Sequence, residues 1–386
     1  MIIFSINTRV YNLISLLCVT GEYPVASLGI LGDRTCYRRL VTNMCKMQTY
    51  HNSETGEKIT CRALNISGKG KLKTLRLTKY ALPLARWVEG AEFYTETHLK
   101  NNRSSNEQTV ERHHRMAEAV AIIQQSGFEY RPWYLPKIQI ENHQCSAIDE
   151  PSYFLPKVFR GDISNPSQKY TFSRVVGTLM TPNKTLMVYN TRNAIMKWDG
   201  QGESRTKINV ENFSYRNTKK GEIDSAIIMG QNLNYVLGLI HQTEKQYKLA
   251  STFQKFNLLT MFYNIHYIPL NQFGAKLIQV LTLPNCHNYI LSLIYNDESL
   301  KHGSMSLNYD IYNNGVYTLS LLDYDMRRLI LVKSKIKTLI KEGETFTYQI
   351  LCFPEQIDEL YQYLGDYVEY LTVNIDELLN FLYEEE

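Results

Sequence analysis

The sequence predicts a mixed α/β protein, α+β overall, with a helical N-terminal segment followed by a body of alternating strands and helices. Three observations indicate this class. Apolar residues recur at helical spacing before residue 50, and short β-branched runs bounded by turn signals begin near residue 170. The last third of the chain then alternates between the two patterns. At 386 residues and 44 % apolar content, the chain is long enough for two or three globular domains.

The first 48 residues predict three helices. Residues 10–18 place apolar side chains at i, i+3, i+4 and i+7, and this helix ends near Gly21. Residues 24–31 form a short helix or turn. Asp33 then caps a third helix over residues 34–48. The expected buried stripe of that helix is Cys36, Leu40, Val41, Met44 and Met47.

A basic hairpin follows the three helices. Residues 49–57 have the composition of a turn, a strand begins at Ile59, and Ser67-Gly68-Lys69-Gly70-Lys71 turns the chain back through Leu72, Leu75 and Leu77. Three helices and a two-stranded hairpin are the components of a winged helix, which we place at residues 8–90. From Lys58 to Val88 there are eight Lys or Arg and no Asp or Glu, so the segment carries an uncompensated positive charge.

The third helix and the hairpin together predict a DNA-binding surface. Arg34, Tyr37, Arg38 and Lys46 are left on the face opposite the apolar stripe, with Arg39 near the boundary. The expected DNA-contacting residues are Arg34, Tyr37, Arg38, Arg39, Lys46, Lys58, Arg62, Lys69, Lys71, Lys73, Arg76 and Lys79. The alternatives are an ordinary three-helix element with a solvated charged hairpin, or a surface that binds an acidic protein partner.

A polar linker is expected at residues 91–110, with a domain boundary near residue 100, before a strong amphipathic helix over residues 108–125. His114 and Glu118 lie one helical turn apart in that helix and are of the residue types that hold metals. No third ligand can be identified from the sequence. A surface ion pair is therefore the favoured interpretation, and no metal site is assigned.

The body is predicted in two parts, residues 111–220 and a C-terminal α/β extension at 221–386. An irregular strand is expected over residues 128–140 and an exposed loop over 141–169. A hairpin of strands at 170–180 and 185–190 follows. Further strands are predicted at 225–229, 276–283, 316–322 and 346–353. Helices are predicted near 232–240, 244–262, 285–296, 324–341 and 355–383, with Pro354 suited to a first helical position.

Cysteine usage and hydropathy limit the class of protein. The seven Cys form no CxxC pair and are odd in number, which argues against a zinc knuckle or a disulfide framework. No run approaches the roughly 18 apolar residues of a membrane span, and we expect no signal peptide. The string Gly200-Gln201-Gly202-Glu203 lacks the spacing of a nucleotide-binding loop. We expect a cytoplasmic protein with no cofactor and no membrane partner.

The chain also resembles a known family. Leu16-Leu17, Arg38-Arg39-Leu40, the basic hairpin and Leu75-Arg76-Leu77-Thr78 resemble the winged-helix domain of the replication-relaxation proteins of plasmids and conjugative elements. His113-His114 to Glu118 is similar to the helix that follows in that family, and residues 173–179 and 187–192 are similar to the hairpin of a restriction-endonuclease-like core. The resemblance covers roughly residues 10–200.

The sequence departs from that family where a nuclease would hold its metal. The resemblance implies one carboxylate on each strand of the hairpin, but Val176 stands at the first position, and Tyr189 and Asn190 stand at the second. The resemblance therefore implies a degenerate, non-catalytic core. Acids that could serve an enzyme instead are Asp162, Asp199, Glu203, Glu222 and Asp224.

The sequence as a whole predicts a non-catalytic DNA-binding accessory protein of a plasmid or conjugative element, acting in replication, mobilisation or its regulation. The expected partner is double-stranded DNA, together with relaxase or replication proteins, and a homodimer is an open alternative. Two other functions stay open from the sequence. One is a metal-dependent nuclease or relaxase-like strand-cleaving enzyme, and the other is a protein-interaction module of the same element.

Overall fold

The computed structural model describes residues 1–6, 8–88, 106–127, 151–156, 173–218, 222–249, 257–283, 308–313 and 315–384. Helices and mixed sheets alternate through them, which confirms the α/β class. The boundary expected near residue 100, the strand expected at 128–140 and the helix expected at 285–296 lie outside these ranges. Of the linker expected at 91–110, residues 107–110 are described and are helical. Within them, no helix is both long and apolar enough to cross a bilayer.

The N-terminal segment, residues 2–88, is called the head below. It begins with β1 (Ile2–Phe4), α1 (Arg9–Thr20), β2 (Tyr23–Pro24), a 3-10 helix (Val25–Leu31) and α2 (Arg34–Met44). Two sequence predictions are confirmed here. Gly21 ends α1 in the left-handed conformation with φ 75°, and the Asp33 carboxylate caps α2 by accepting the Cys36 N–H.

Two hairpins complete the head, where the sequence predicted one. The first consists of β3 (Gln48–Asn52) and β4 (Lys58–Cys61), and it forms a sheet with β1, which lies parallel to β3. Residues 49–52 of the segment predicted as a turn, residues 49–57, therefore belong to strand β3 instead. The second consists of β5 (Leu64–Ser67) and β6 (Thr74–Leu77), and β2 pairs with β6 to give the order β2-β6-β5. Helix α3 (Leu82–Ala85) follows.

Helix α4 (Glu107–Gln125) lies between the head and the body. Asn106 caps it by accepting the Gln108 N–H. One part of its surface contacts α1, β2 and the 3-10 helix of the head, and another contacts strands of the body. Its last two turns are almost wholly buried, with Ala117, Val120 and Ile123 fully enclosed. Because both sides are covered, α4 belongs to a core that runs from the head into the body.

The five strands of the first body sheet lie side by side in the same order in which they occur along the chain. These are β7 (Ser152–Phe154), β8 (Val175–Met180), β9 (Thr185–Arg192), β10 (Ser225–Gly230) and β11 (Asn264–Pro269). Strands β7, β8 and β9 are antiparallel neighbours, while β9, β10 and β11 run parallel. Helices α5 (Gly200–Thr218), α6 (Leu233–Leu249), α7 (Leu258–Met261) and α8 (Gln272–Thr282) accompany the parallel part.

Several body predictions are corrected by this sheet. The predicted exposed loop at 141–169 contains β7, whose Tyr153 and Phe154 are buried. The predicted strand at 276–283 lies in α8 instead, and β11 was not predicted. The boundary expected near residue 220 falls inside the sheet, because β9 pairs directly with β10.

The second sheet has four strands, β12 (Ile311–Asn313), β13 (Val316–Ser320), β14 (Thr347–Cys352) and β15 (Glu369–Thr372). Helices α9 (Met326–Glu342), α10 (Ile357–Leu364) and α11 (Ile375–Glu384) alternate with its parallel strands. The predicted helix at 355–383 is therefore interrupted by β15, while Pro354 does open a helical segment as predicted. A bond from the Tyr267 N–H to the Tyr324 carbonyl, at 3.1 Å, joins β11 to this second unit.

Candidate nucleic-acid interface

The exposed face of α2 carries most of the basic residues that the sequence predicted for this helix. Arg34, Arg38 and Arg39 are exposed, and Lys46 is exposed just beyond the helix end. Between Arg34 and Val88 the only acidic residues are Glu54 and Glu57. None of the four cations lies within ion-pair distance of a carboxylate in the described part of the chain. Their charges are therefore free to attract a polyanion.

The turn between β5 and β6, residues 68–73, is called the basic turn below. Gly68 and Gly70 adopt positive φ angles of 81° and 55°, a conformation that only glycine takes up without strain. At Gly68 a side chain would also collide with the Leu72 carbonyl. This tight backbone leaves Lys69, Lys71 and Lys73 exposed. The two glycines thus hold three cations on a short projection.

Three further predicted residues are exposed around these elements. Lys58 lies in β4, Arg62 follows it, and Lys79 lies after β6. The Arg62 guanidinium already donates to the Leu64 carbonyl at 3.4 Å and to Asn65 Oδ1 at 3.2 Å. Lys79 lies over the Tyr80 ring, 5.1 Å from its centroid. They extend the positive field of the head.

Two residues predicted to face DNA are placed elsewhere. The prediction that Tyr37 faces outward is wrong, because its side chain is 2 % exposed and forms the buried stripe of α2 with Val41 and Met44. Burial raises the pKa of Tyr37. Met47, predicted to be buried, is exposed. The apolar stripe is thus rotated relative to the prediction.

Arg76 is the second residue to be reassigned. Its guanidinium is largely buried and forms an ion pair with Glu22, which lies between α1 and β2. His113 of α4 contacts the same carboxylate, with Nδ1 and Oε1 3.0 Å apart. Burial raises the pKa of Glu22, but the bond from His113 and the charge of Arg76 outweigh it and lower that pKa overall. Arg76 therefore stabilises the head and does not belong to the exposed surface.

The His114–Glu118 pair expected on the surface is buried, and each side chain has other partners. The His114 Nε2 atom lies 2.8 Å from the Thr74 hydroxyl of β6. Burial, assisted by the charge of Arg192, lowers the pKa of His114 to about 4, so the ring is neutral near pH 7. Both residues of this pair are fully enclosed. The expected surface ion pair is therefore a wrong prediction.

Glu118 is the centre of a buried polar cluster that joins three elements. One carboxylate oxygen accepts from the Ser27 hydroxyl of the 3-10 helix at 2.5 Å, and the other accepts from the Asn190 amide at 3.1 Å. Arg192 Nε lies 3.0 Å from both oxygens. Burial raises the pKa of Glu118, and the Arg192 charge opposes that rise. The cluster fixes the head against strand β9 through α4.

The hairpin β8–β9 has no carboxylate at the positions where the resemblance implied a metal site. Val176 is buried and apolar, and Tyr189 is buried beside Trp198, with ring centroids 5.5 Å apart. Asn190 donates both to Glu118 and, at 2.8 Å, to the Arg115 carbonyl. No group of three His, Cys, Asp or Glu side chains suited to a metal occurs in the described ranges.

The other acids considered from the sequence do not converge on one site. Asp162 lies outside the described residues, and Glu222 and Asp224 are both exposed. Asp199 accepts a backbone N–H near the start of α5. Glu203 is buried and accepts from the Ser173 hydroxyl at 3.0 Å and from the Arg174 N–H at 2.5 Å. Burial raises the pKa of Glu203 to about 7.

No family model, curated protein or solved structure matches this chain.

Sequence reasoning missed the residues that support this interface from within. Glu22, Ser27 and Thr74 each contact α4, although 40 residues or more separate them from their partners in the chain. A buried Glu in the otherwise apolar stripe of a helix was the available signal, because such a group needs a specific partner. The identity of that partner depends on tertiary packing and could not be read from spacing.

Proposed function

We propose that this protein binds double-stranded DNA through the exposed cations of α2 and of the basic turn. The observation that carries the proposal is a group of seven exposed Lys and Arg that lie on α2, just beyond its end or in the basic turn, namely Arg34, Arg38, Arg39, Lys46, Lys69, Lys71 and Lys73. No ion pair within the described residues neutralises them. Phosphate groups are the natural counter-charges for such a surface.

The order of elements supports the view that the head is a winged helix. It runs helix, strand, short helix, helix, strand, turn and strand, with the strands ordered β2-β6-β5 and the hairpin β3–β4 inserted after α2. In a winged helix the last helix and the hairpin turn both contact DNA. We therefore assign these roles to α2 and to the basic turn.

The body is proposed to be a non-catalytic scaffold. Its first elements run helix, three antiparallel strands, helix and a parallel strand, which is the order expected for a restriction-endonuclease-like core. Val176, Tyr189 and Asn190 replace the carboxylates that such a core uses to hold a metal. In this proposal the protein is a cytoplasmic accessory factor of a plasmid or conjugative element, and relaxase or replication proteins are its candidate partners.

Salt dependence of binding tests the proposal. The experiment measures fluorescence anisotropy of a labelled duplex of mixed sequence at salt concentrations from roughly 50 to 200 mM. Replacing Lys69, Lys71 and Lys73 with Ala removes three charges of the basic turn. If all three contact phosphates, the slope of log affinity against log salt falls by about 2.7 in magnitude, and affinity drops for all sequences alike.

A second triple variant on α9 provides the control. Lys335, Lys337 and Lys341 belong to a helix of the second body sheet, so K335A/K337A/K341A removes the same net charge away from the head. This variant should keep the wild-type slope. Equal slopes for all three proteins would contradict the assignment of the basic turn, and a lack of binding at low salt would contradict the function.

Incubation with supercoiled DNA and Mg²⁺ or Mn²⁺ separates a scaffold from a strand-cleaving enzyme. The proposal predicts that the DNA stays supercoiled. Nicking that is lost in Asp224→Asn but retained in the Lys69/Lys71/Lys73 variant would show cleavage and overturn the non-catalytic assignment.

A further inference from the structure

The outward face of α2 has a composition suited to reading bases as well as to neutralising phosphates. Thr35, Arg39 and Thr42 follow one another at i, i+4 and i+7, and all three are exposed. Arg39 is two residues from the buried Tyr37 and therefore lies on nearly the opposite side of the helix. The sequence alone had placed Arg39 at the boundary of the face. In the structure it lies near the middle.

Arg39 and Asn43 are neighbours on this face, one helical turn apart. Asn43 is exposed, and neither its amide nor the Arg39 guanidinium has a hydrogen-bond partner among the described residues. The Thr42 hydroxyl, in contrast, already donates to the Arg38 carbonyl at 2.8 Å. Arg39 and Asn43 thus combine exposure with unused hydrogen-bonding capacity.

The two side chains have complementary preferences in the major groove. The Arg fork donates two parallel hydrogen bonds to guanine O6 and N7, and an Asn amide bonds adenine N6 and N7. Side chains at i and i+4 lie about 5–6 Å apart at their Cβ atoms. Stacked bases rise about 3.4 Å per step, so this spacing corresponds to one or two base pairs.

We propose that α2 gives the protein sequence specificity, with Arg39 reading a guanine and Asn43 reading an adenine one or two base pairs away. This inference rests on the proposed DNA-binding function. The basic turn then supplies affinity that does not depend on the DNA sequence. Each of its lysines presents a point charge to phosphate at the end of a flexible side chain. Arg39 and Asn43 are the specificity-determining residues of the surface.

Selection from a duplex library with a randomised central region tests the inference. Wild-type protein should enrich a motif that contains a guanine and an adenine within about two base-pair steps. Asn43→Ala should lose the preference at the adenine alone. Arg39→Lys should lose the preference at the guanine while keeping its charge. Each loss is expected to reduce discrimination at that base by about fivefold to 150-fold.

Binding to a duplex of mixed sequence provides the internal control. Because Arg39→Lys and Asn43→Ala keep the charge of the head, both variants should retain the wild-type salt slope. Thermal melting should also be unchanged, since both side chains are exposed. The Lys69/Lys71/Lys73 variant should show the reverse result, with a lower slope and the same enriched motif.

The outcomes separate this inference from the function on which it rests. Binding without any enriched motif, or an unchanged motif in both Arg39→Lys and Asn43→Ala, would overturn the assignment of base reading and leave DNA binding in place. Absence of binding by the wild-type protein at low salt would overturn both.

Discussion

Glu118 shows how a single buried carboxylate organises the junction between the head and the body. Its oxygens accept from Ser27, Asn190 and Arg192, which come from the 3-10 helix and from strand β9. Arg192 adopts a positive φ of 56°, a conformation that is strained for a residue with a side chain. The ion pair is one interaction that holds the residue there. The cluster thus has a structural role.

Replacing Glu118 with Gln should strongly destabilise the protein. The variant leaves the Arg192 guanidinium buried without its counter-charge, which is expected to lower the free energy of unfolding by about 3–5 kcal/mol. Urea unfolding of both proteins measures the difference. Glu111→Gln on the same helix breaks a partly exposed pair with Arg115 and should cost less than about 1 kcal/mol. Equal losses in the two variants would contradict the role of the buried cluster.

Glu203 should make the stability of the protein depend on pH. Its pKa is raised to about 7 in the folded state from an ordinary value of 4.5, because burial disfavours the charged form. The folded state therefore binds more protons than the unfolded state between these values. The Glu203 contribution to the free energy of unfolding decreases by about 3 kcal/mol as pH rises from about 4.5 to 7.

The comparison with Glu203→Gln isolates this contribution. His114 acts in the opposite direction, because its lowered pKa makes stability increase with pH between about 4 and 6.5. Urea unfolding at several pH values should show that the free energy of unfolding of the wild type, minus that of Glu203→Gln, decreases as pH rises from about 4.5 to 7. A difference that stays constant with pH would show that Glu203 titrates normally.

At the scale of elements, the sequence predicted helices and strands best where capping and turn signals agree with local periodicity. The Asp33 cap, the Gly21 end of α1 and the strands β8, β9, β10, β13 and β14 were all predicted. The face of α2 that is buried was not predicted correctly. Its sequence offers two overlapping apolar stripes, and packing selects the one with Tyr37 because that large ring fills the core beneath the helix.

Helix α8 was predicted as a strand for a related reason. Its buried Leu277, Ile278, Val280 and Leu281 lie within five consecutive positions, an apolar run short enough to fit a buried strand. Periodicity alone cannot separate a buried helix from a buried strand in such a run. Strand β15 was missed inside the predicted C-terminal helix because it forms by pairing with β14, a long-range contact that local sequence does not reveal.

Gly68 provides a prediction at the scale of the basic turn. Gly68→Ala introduces strain at φ 81° and a collision with the Leu72 carbonyl, so it should lower the free energy of unfolding by about 2 kcal/mol or more and weaken DNA binding. Gly56→Ala in the β3–β4 turn has a similar φ of 74° but meets no atom nearby. It should cost only about 1 kcal/mol and leave binding unchanged.

Equal destabilisation by the two substitutions would contradict a tightly constrained basic turn. Urea unfolding and anisotropy with the mixed-sequence duplex measure both effects on the same samples.

At the scale of the whole molecule, the excess of positive charge lies in the same part of the chain that forms the head. Residues 1–90 carry a net charge of +8, and the remaining residues carry −4. The sequence showed this division directly, and most of the predicted basic residues are exposed as expected. It could not show that Arg76 is used internally, because Glu22 meets it only after folding. Net charge along a chain predicts a positive surface more reliably than it predicts the role of each cation.

Helix α4 links the two regions and explains why the head is not an independent appendage. It contacts head residues through His113, His114 and Glu118 and contacts β9 through Glu118. The head and the core should therefore be held in a fixed arrangement.

Lysine protection most directly tests the central claim that the head binds DNA. The protein is treated with an acetylating reagent with and without a duplex of mixed sequence, and modification is quantified at each lysine by mass spectrometry. The account predicts that DNA protects Lys46, Lys69, Lys71 and Lys73 and leaves Lys337 and Lys341 as reactive as before. Protection confined to the body, or none at any lysine while the DNA is bound, would contradict it.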